Sequence, residues 1–152
     1  MNLSQPATTP AGTSGAIWNP NATANWSLLF TPAFGAYLQM LNWRVLGEAA
    51  RAERSRNWFY ASIGLVLVFL LTGVLAPKES AAHGAARGLG LVFLLSWYFT
   101  SEKSQANYVK AKFGTNYPHQ SWGKVLLYAF GALLGLFVLG AVLGIVLGTR
   151  GT

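Results

Sequence analysis

The amino-acid sequence predicts an all-α integral membrane protein with three transmembrane helices (58–76, 81–100 and 125–148) and an N-terminal amphipathic helix, interfacial or re-entrant, over about 27–55. Three observations carry that expectation. The chain is 53% hydrophobic and only 10% charged, against about 25% charged residues in an ordinary soluble domain. It holds two uncharged apolar runs that meet the length of about 20 residues needed to cross a hydrocarbon core of about 30 Å. Its basic residues cluster in short segments beside those runs.

The run 58–76 carries no charge, and Pro77 ends it. The run 125–148 is also uncharged and crosses with some tilt. The middle span is less apolar. Residues 88–100 are too few to cross, so the helix must reach back to Ala81 and take in His83 and Arg87. Arg87 then lies roughly 9 Å deep at 1.5 Å per residue, a distance over which its side chain snorkels back to the headgroups. The short connection to the preceding span makes the two an antiparallel hairpin.

Upstream, 26–42 has no charged residue, and Thr31-Pro32 reads as an N-cap followed by proline at the first helical position. Phe34, Tyr37, Leu38, Leu41 and Val45 recur on one face, with Arg44, Glu48, Arg51 and Arg54 over much of the rest. That pattern predicts a helix lying in the interface or re-entering it. A full span is the alternative. Residues 1–25 lack the basic start and apolar run of a secretory signal, and their composition predicts a disordered polar tail. Residues 26–152 then form a single membrane domain. The sequons at Asn2, Asn21 and Asn25 read as chance in an Asn- and Thr-rich stretch.

Basic residues orient the bundle. Arg44, Arg51, Arg54 and Arg56 precede the first span; Lys78 and Arg87 follow it; Lys103, Lys110, Lys112 and Lys124 precede the last; Arg150 follows that. The alternation assigns 42–57 and 101–124 to the cytoplasm. Trp58, Trp97 and Trp122 mark the ends of spans that lie on that same side, and Trp43 joins them. Indole rings favour the headgroup level.

Glycines recur four apart in the last span, at Gly131 and Gly135 and again at Gly140, Gly144 and Gly148. Small residues at this spacing let helix backbones approach in lipid. The two sets fall on roughly opposite faces, so one seam can serve the bundle while the other meets a partner helix or a second copy. The segment 101–124 opens with a short helix that runs out at Phe113-Gly114, where glycine suits a C-cap. Arg51, Arg54, Arg56, Lys103, Lys110 and Lys112 form a basic cytoplasmic patch. A net charge of +7 would suggest nucleic acid in a soluble protein; beside apolar runs, anionic lipid headgroups are the expected partner and nucleic acid is not. His83 and Arg87 are the intramembrane polar residues, either snorkelling or lining a polar path.

Catalytic chemistry has little to draw on. The chain has no Cys and no Asp, and its acids are Glu48, Glu53, Glu79 and Glu102. His83 and His119 fall on opposite sides of the expected bilayer. Neither a nucleophile elbow nor a phosphate loop occurs. The sequence therefore points away from an enzyme and predicts no catalytic, cofactor-binding or metal site, and no cofactor.

The runs Trp18-Asn19-Pro20-Asn21-Ala22, Asn25-Trp26-Ser27-Leu28-Leu29-Phe30-Thr31-Pro32-Ala33-Phe34-Gly35-Ala36 and Asn42-Trp43-Arg44-Val45-Leu46-Gly47-Glu48 resemble a pattern in small proteobacterial inner-membrane proteins. Residues 105–122, with Tyr108, Phe113-Gly114 and Tyr117-Pro118, are similar to their second cytoplasmic segment. The resemblance implies a multi-pass location in the bacterial inner membrane and carries over no functional residues. The expected role is a non-enzymatic binding protein, in one version an immunity protein sequestering a membrane-targeting secreted toxin. The alternative is an oligomeric transport or channel component, or an accessory subunit of an envelope complex.

Overall fold

A computed structural model describes residues 15–77 and 80–148, and among these the chain is all-helical. The elements are α1 (Pro20–Phe30), α2 (Pro32–Val45), α3 (Ala49–Leu75), α4 (Ala81–Trp97), a π-helical turn (Tyr98–Glu102), α5 (Lys103–Phe113) and α6 (Gly123–Gly148). One isolated parallel bridge joins Ile17 to His119. Helices α3 and α6 are each long and apolar enough to cross a membrane.

Local chemistry explains the boundaries. The Asn19 side chain accepts from the Asn21 and Ala22 amides at the start of α1, with Pro20 in the first turn. The chain reverses at Thr31, whose φ of 103° and ψ of 158° lie in a region that glycine normally occupies. The Thr31 amide donates to Ser27 O and its carbonyl accepts from Phe34, which holds the turn between α1 and Pro32. Thr31 is the N-cap of α2, as its sequence context predicts, but makes no side-chain cap bond. Gly47, at φ 76°, turns the chain from α2 into α3. Ala76 is extended before Pro77 and closes α3. Gly114, at φ 62°, caps α5 as expected.

Helix α2 is the centre of the packing. It runs antiparallel to α1 and to α3, with Tyr37 against Phe59 and Gln39 against Ser55. It lies parallel to the π turn and α5, through the pairs Gln39–Ser101 and Asn42–Gln105. Helix α1 runs parallel to α6, with Trp26 beside Trp122 and Phe30 edge-on to Phe130. Helix α3 packs on α4 and on α6; Trp58 meets Phe93, and Gly90 admits the Phe69 ring.

Polar side chains share the interior with a small apolar core around Met40, Trp43 and Ala52, and large apolar side chains cover the outside. Thr23, Ser27, Gln39, Asn42, Ser55, Ser62, Ser101, Glu102 and Gln105 are buried, whereas Leu127, Phe137, Leu134 and Ile145 of α6 and Leu67, Leu71 and Leu75 of α3 are exposed. Several buried hydroxyls are satisfied within their own helix: Ser27 donates to Thr23 O and Ser62 to Trp58 O.

Several expectations need correction. The expected tail does not extend to residue 25: Ile17 is buried, its amide and carbonyl pair with Pro118 and Gln120, and α1 begins at Pro20. Asn19 caps that helix, and Pro20 and Asn21 form its first turn. A single helix over 27–55 is instead divided at Thr31 and at Leu46–Glu48. Its inward face is not the Phe34, Tyr37, Leu38, Leu41 and Val45 stripe. Tyr37 is exposed, and the buried positions are Ala33, Gly35, Ala36, Leu38, Gln39, Met40, Asn42 and Trp43, of which only Leu38 belongs to that stripe. Residues 49–55, expected as the end of that N-terminal helix, are instead the first turns of α3, which runs on into the apolar stretch because no Gly or Pro interrupts the helix formers there. At the other end, α4 continues through the π turn into α5 instead of stopping at Thr100. Residues 1–14, Lys78, Glu79 and Arg150 lie outside the described residues.

Candidate functional site

Five buried polar side chains, Gln39, Asn42, Ser55, Ser101 and Gln105, form one connected junction among α2, α3, the π turn and α5. Gln39 Oε1 accepts from Ser101 Oγ at 2.7 Å and from Ser55 Oγ at 3.1 Å. Gln105 Nε2 donates to Gln39 O at 3.0 Å, and Gln105 Oε1 accepts from Asn42 Nδ2 at 3.1 Å. Asn42 completes the chain by pairing with the backbone of Trp18 through both ends of its amide. A buried network of this kind fixes one arrangement of its helices, since each broken link strands a desolvated group.

The π turn sets the register of this junction. Trp97, Ser101, Gln105 and Val109 are all buried and recur every four residues, a spacing that drifts around a regular helix of 3.6 residues per turn. The i→i−5 bond from the Lys103 amide to Tyr98 O takes up the extra residue and keeps Trp97, Ser101 and Gln105 aligned against α2. The Trp97 indole fills the space left by Gly35, where a Cβ would lie 2.5 Å from Trp97 Cη2.

Glu102 ends the π turn, beyond the 81–100 segment, and is 1% exposed. Neither of its carboxyl oxygens has a hydrogen-bond partner, and Gln39 Nε2 and Trp97 Nε1 are likewise buried without one. Burial pushes the Glu102 carboxyl up to about 8. The neutral acid is thus the form this packing favours near neutral pH.

A second cluster caps the junction. Tyr108 Oη donates to Glu48 Oε1 at 2.7 Å and accepts from Lys112 Nζ at 2.9 Å. The Arg51 guanidinium lies 4.9 Å from the Trp43 ring centroid and 4.7 Å from that of Tyr108. This ties α3 to α5 across the end of α2.

The residues singled out from the sequence fall in different places. Of the basic patch, Arg51 and Arg54 line a small cleft with Ser101 and Ser104. Arg56 pairs with Glu53 at 2.7 Å. Lys103 lies over Phe99, Lys112 over Tyr108 and Phe113. Lys110 lines a polar cavity of about 310 Å³ with Asn21, Tyr117 and His119. The six charges therefore surround the junction without converging on one point. His83 and Arg87 share a cavity of about 170 Å³ with Phe69 and Thr72, and His83 Nδ1 has no partner there. A Cβ added at Gly140 would lie 3.4 Å from Leu70 Cδ1, whereas one at Gly131, Gly135 or Gly144 would meet nothing within 4 Å. Gly148 is the last residue of α6.

Two open apolar grooves, about 680 and 540 Å³, run between α3 and α6, and Thr31 at the α1–α2 turn lines both. Among the described residues no three His, Cys, Asp or Glu side chains converge as a metal ion would require. The sequence reading missed Gln39, Asn42, Glu102 and Gln105 as a unit. The available signal was the i, i+3 pair of amides at the end of the uncharged stretch 26–42, facing a Ser101–Gln105 pair of similar pitch.

Comparison with known proteins returned no match to a family model, a curated protein or a solved structure.

Proposed function

We propose that this chain is a multi-pass, non-enzymatic binding protein of the bacterial inner membrane. In this reading α3, α4 and α6 cross the bilayer and α1–α2 re-enters it as a helical hairpin. The observation that carries the reading is the apolar exterior over a partly polar interior: amides and hydroxyls are buried beside Leu38, Trp43 and Trp97, while Leu127 and Phe137 lie 71% and 70% exposed on α6. In water that surface is an aggregation liability far beyond ordinary apolar patches; in lipid it is the solvent-matched face.

The re-entrant form is favoured over a flat interfacial helix. Helix α1 starts beside the loop that precedes α6, passes Trp122 with Trp26 and Phe130 with Phe30, and turns at Thr31 against Val66 and Leu133. Its 11 residues rise about 16 Å at 1.5 Å each, about half of a 30 Å core. Helix α2 then returns along α3. Both ends of the hairpin, the basic patch and the buried junction thereby lie toward the cytoplasm.

Binding is the function this arrangement serves best, because the open glycine face of α6 and the grooves beside it can take a partner helix. In its concrete form the protein is an immunity factor that sequesters a membrane-targeting toxin of a secretion system. Affinity purification from gently solubilised native membranes tests it, paired with deletion in the presence and absence of the copurified candidate toxin. A growth defect confined to toxin exposure supports the reading. A solute-flux defect without any toxin replaces it with transport. Reporter fusions at residue 15 and at Gly47 test the topology: both ends of the hairpin must report the cytoplasm.

A further inference from the structure

Three buried polar groups flank the π turn without partners: the Glu102 carboxyl, Gln39 Nε2 and Trp97 Nε1. The helices packed there offer Glu102 no counter-charge. Helix α1 has no titratable side chain, and α2 supplies only Tyr37 and Arg44, both exposed. From α3, Arg51 and Arg54 reach Ser101 and Ser104 around a cleft that Glu102 does not line. On its own helix, Tyr98, Lys103, Lys110 and Lys112 are exposed, and Tyr108 is engaged by Glu48 and Lys112. No ion pair reaches Glu102 among the described residues. An ionised carboxylate in such a place is far costlier than the neutral acid. Glu102 also lines none of the cavities described above, so in this packing a proton is the ligand that fits.

We propose that Glu102 is a proton-binding switch: its neutral acid packs the π turn against the α1–α2 hairpin, and release of the proton parts these elements. The turn suits such a hinge, because its i→i−5 register is a local departure from a helix that otherwise continues from Ala81 to Phe113. The sign follows from linkage. A water-exposed Glu102 in the parted state titrates near 4.5, and the packed one near 8. Between those values the packed state holds a proton that the parted state has lost, so rising pH favours parting. Below and above the window the balance is flat. The proposal stands on the packing around Glu102 and does not depend on which partner the membrane face binds.

The test exploits the carboxylate inventory, since the full chain has four Glu and no Asp. In full-length protein carrying Glu48→Gln, Glu53→Gln and Glu79→Gln, reconstituted in phospholipid vesicles, Glu102 is the sole acidic side chain. Infrared spectroscopy should show its protonated carboxyl band at about pH 6 and lose it by about pH 9. Amide exchange over 33–43 and 97–105 in the wild type, corrected for intrinsic rates, should rise about tenfold per pH unit within the window, the slope of one proton. Glu102→Gln should flatten that rise. Absence of the band at about pH 6, or an exchange profile identical in wild type and Glu102→Gln, overturns the proposal. If Glu102→Gln fails to fold, the infrared titration of the triple variant decides alone.

Discussion

The side-chain amide of Asn42 pairs with the backbone of Trp18 as a neighbouring strand would: Oδ1 accepts from the Trp18 N–H at 2.9 Å, and Nδ2 donates to the Trp18 carbonyl at 2.8 Å. The same Nδ2 donates to Gln105 Oε1. One residue on α2 therefore ties the segment before α1 to α5. The adjoining Ile17 adds backbone bonds to the loop before α6.

Asn42→Ala should strand the Trp18 amide and carbonyl and leave Gln105 Oε1 unpaired, at a cost of about 1–3 kcal/mol per buried group left unsatisfied. Thermal unfolding in detergent should show a lowered midpoint, and limited proteolysis should cleave 15–19 faster than in wild type. Unchanged protection of that segment would mean that the Ile17 backbone bonds suffice to hold it.

Gly35 is required by close approach, not by its backbone angles. A methyl group there would overlap Ser27 Oγ and stand 2.5 Å from the Trp97 indole. Gly35→Ala should therefore destabilise by about 1–3 kcal/mol, as overpacked sites do. Gly64→Ala, at a position with nothing within 4 Å, should instead stabilise by about 0.5–1 kcal/mol through helix propensity alone. Denaturant titration of both variants in the same micelles compares them directly; equal midpoints would remove Gly35 from the α1–α2–Trp97 contact.

How far this was legible in the sequence depended on which force set each feature. The end of α3 before Pro77, the Gly114 cap and the extent of α6 follow from local chemistry, and the structure has them near their expected positions. The inward face of α2 escapes apolar periodicity because two of its buried positions are amides. In this chain, Gln39 and Asn42 turn inward while Tyr37 turns out. The π turn had no local signature; it arises from matching Trp97, Ser101 and Gln105 to a neighbouring helix. Nor could spacing show that Ile17, seemingly part of a polar tail, finds a buried place beside Pro118 and Gln120, over a hundred residues away.

The cap over the junction makes a separable prediction. Tyr108→Phe removes a hydroxyl that donates to Glu48 and accepts from Lys112, and should cost about 1 kcal/mol. Arg51→Lys keeps the charge but loses the planar stack on Trp43 and Tyr108, worth about 0.5–1 kcal/mol at a partly exposed site. The two share Tyr108, so their combined effect should fall short of the sum. A double-mutant cycle by thermal unfolding measures the shortfall, and strict additivity would separate the hydrogen bonds from the stack.

The glycines of α6 divide the helix into a face already used and a face left open. A Cβ at Gly140 would touch Leu70 of α3, whereas one at Gly131 or Gly135, on the opposite face, would touch nothing. Leucine at Gly140 should thus disturb the α3–α6 contact and lower the unfolding midpoint. Leucine at Gly135 should leave the monomer's stability within about 0.5 kcal/mol, the ordinary range for a change away from packed features. If that open face receives a partner helix or a second copy, Gly135→Leu should nevertheless abolish crosslinking or copurification, because the bulk forbids the close backbone approach that such seams need. Retained association in a stable Gly135→Leu variant would exclude this face and redirect attention to the grooves between α3 and α6.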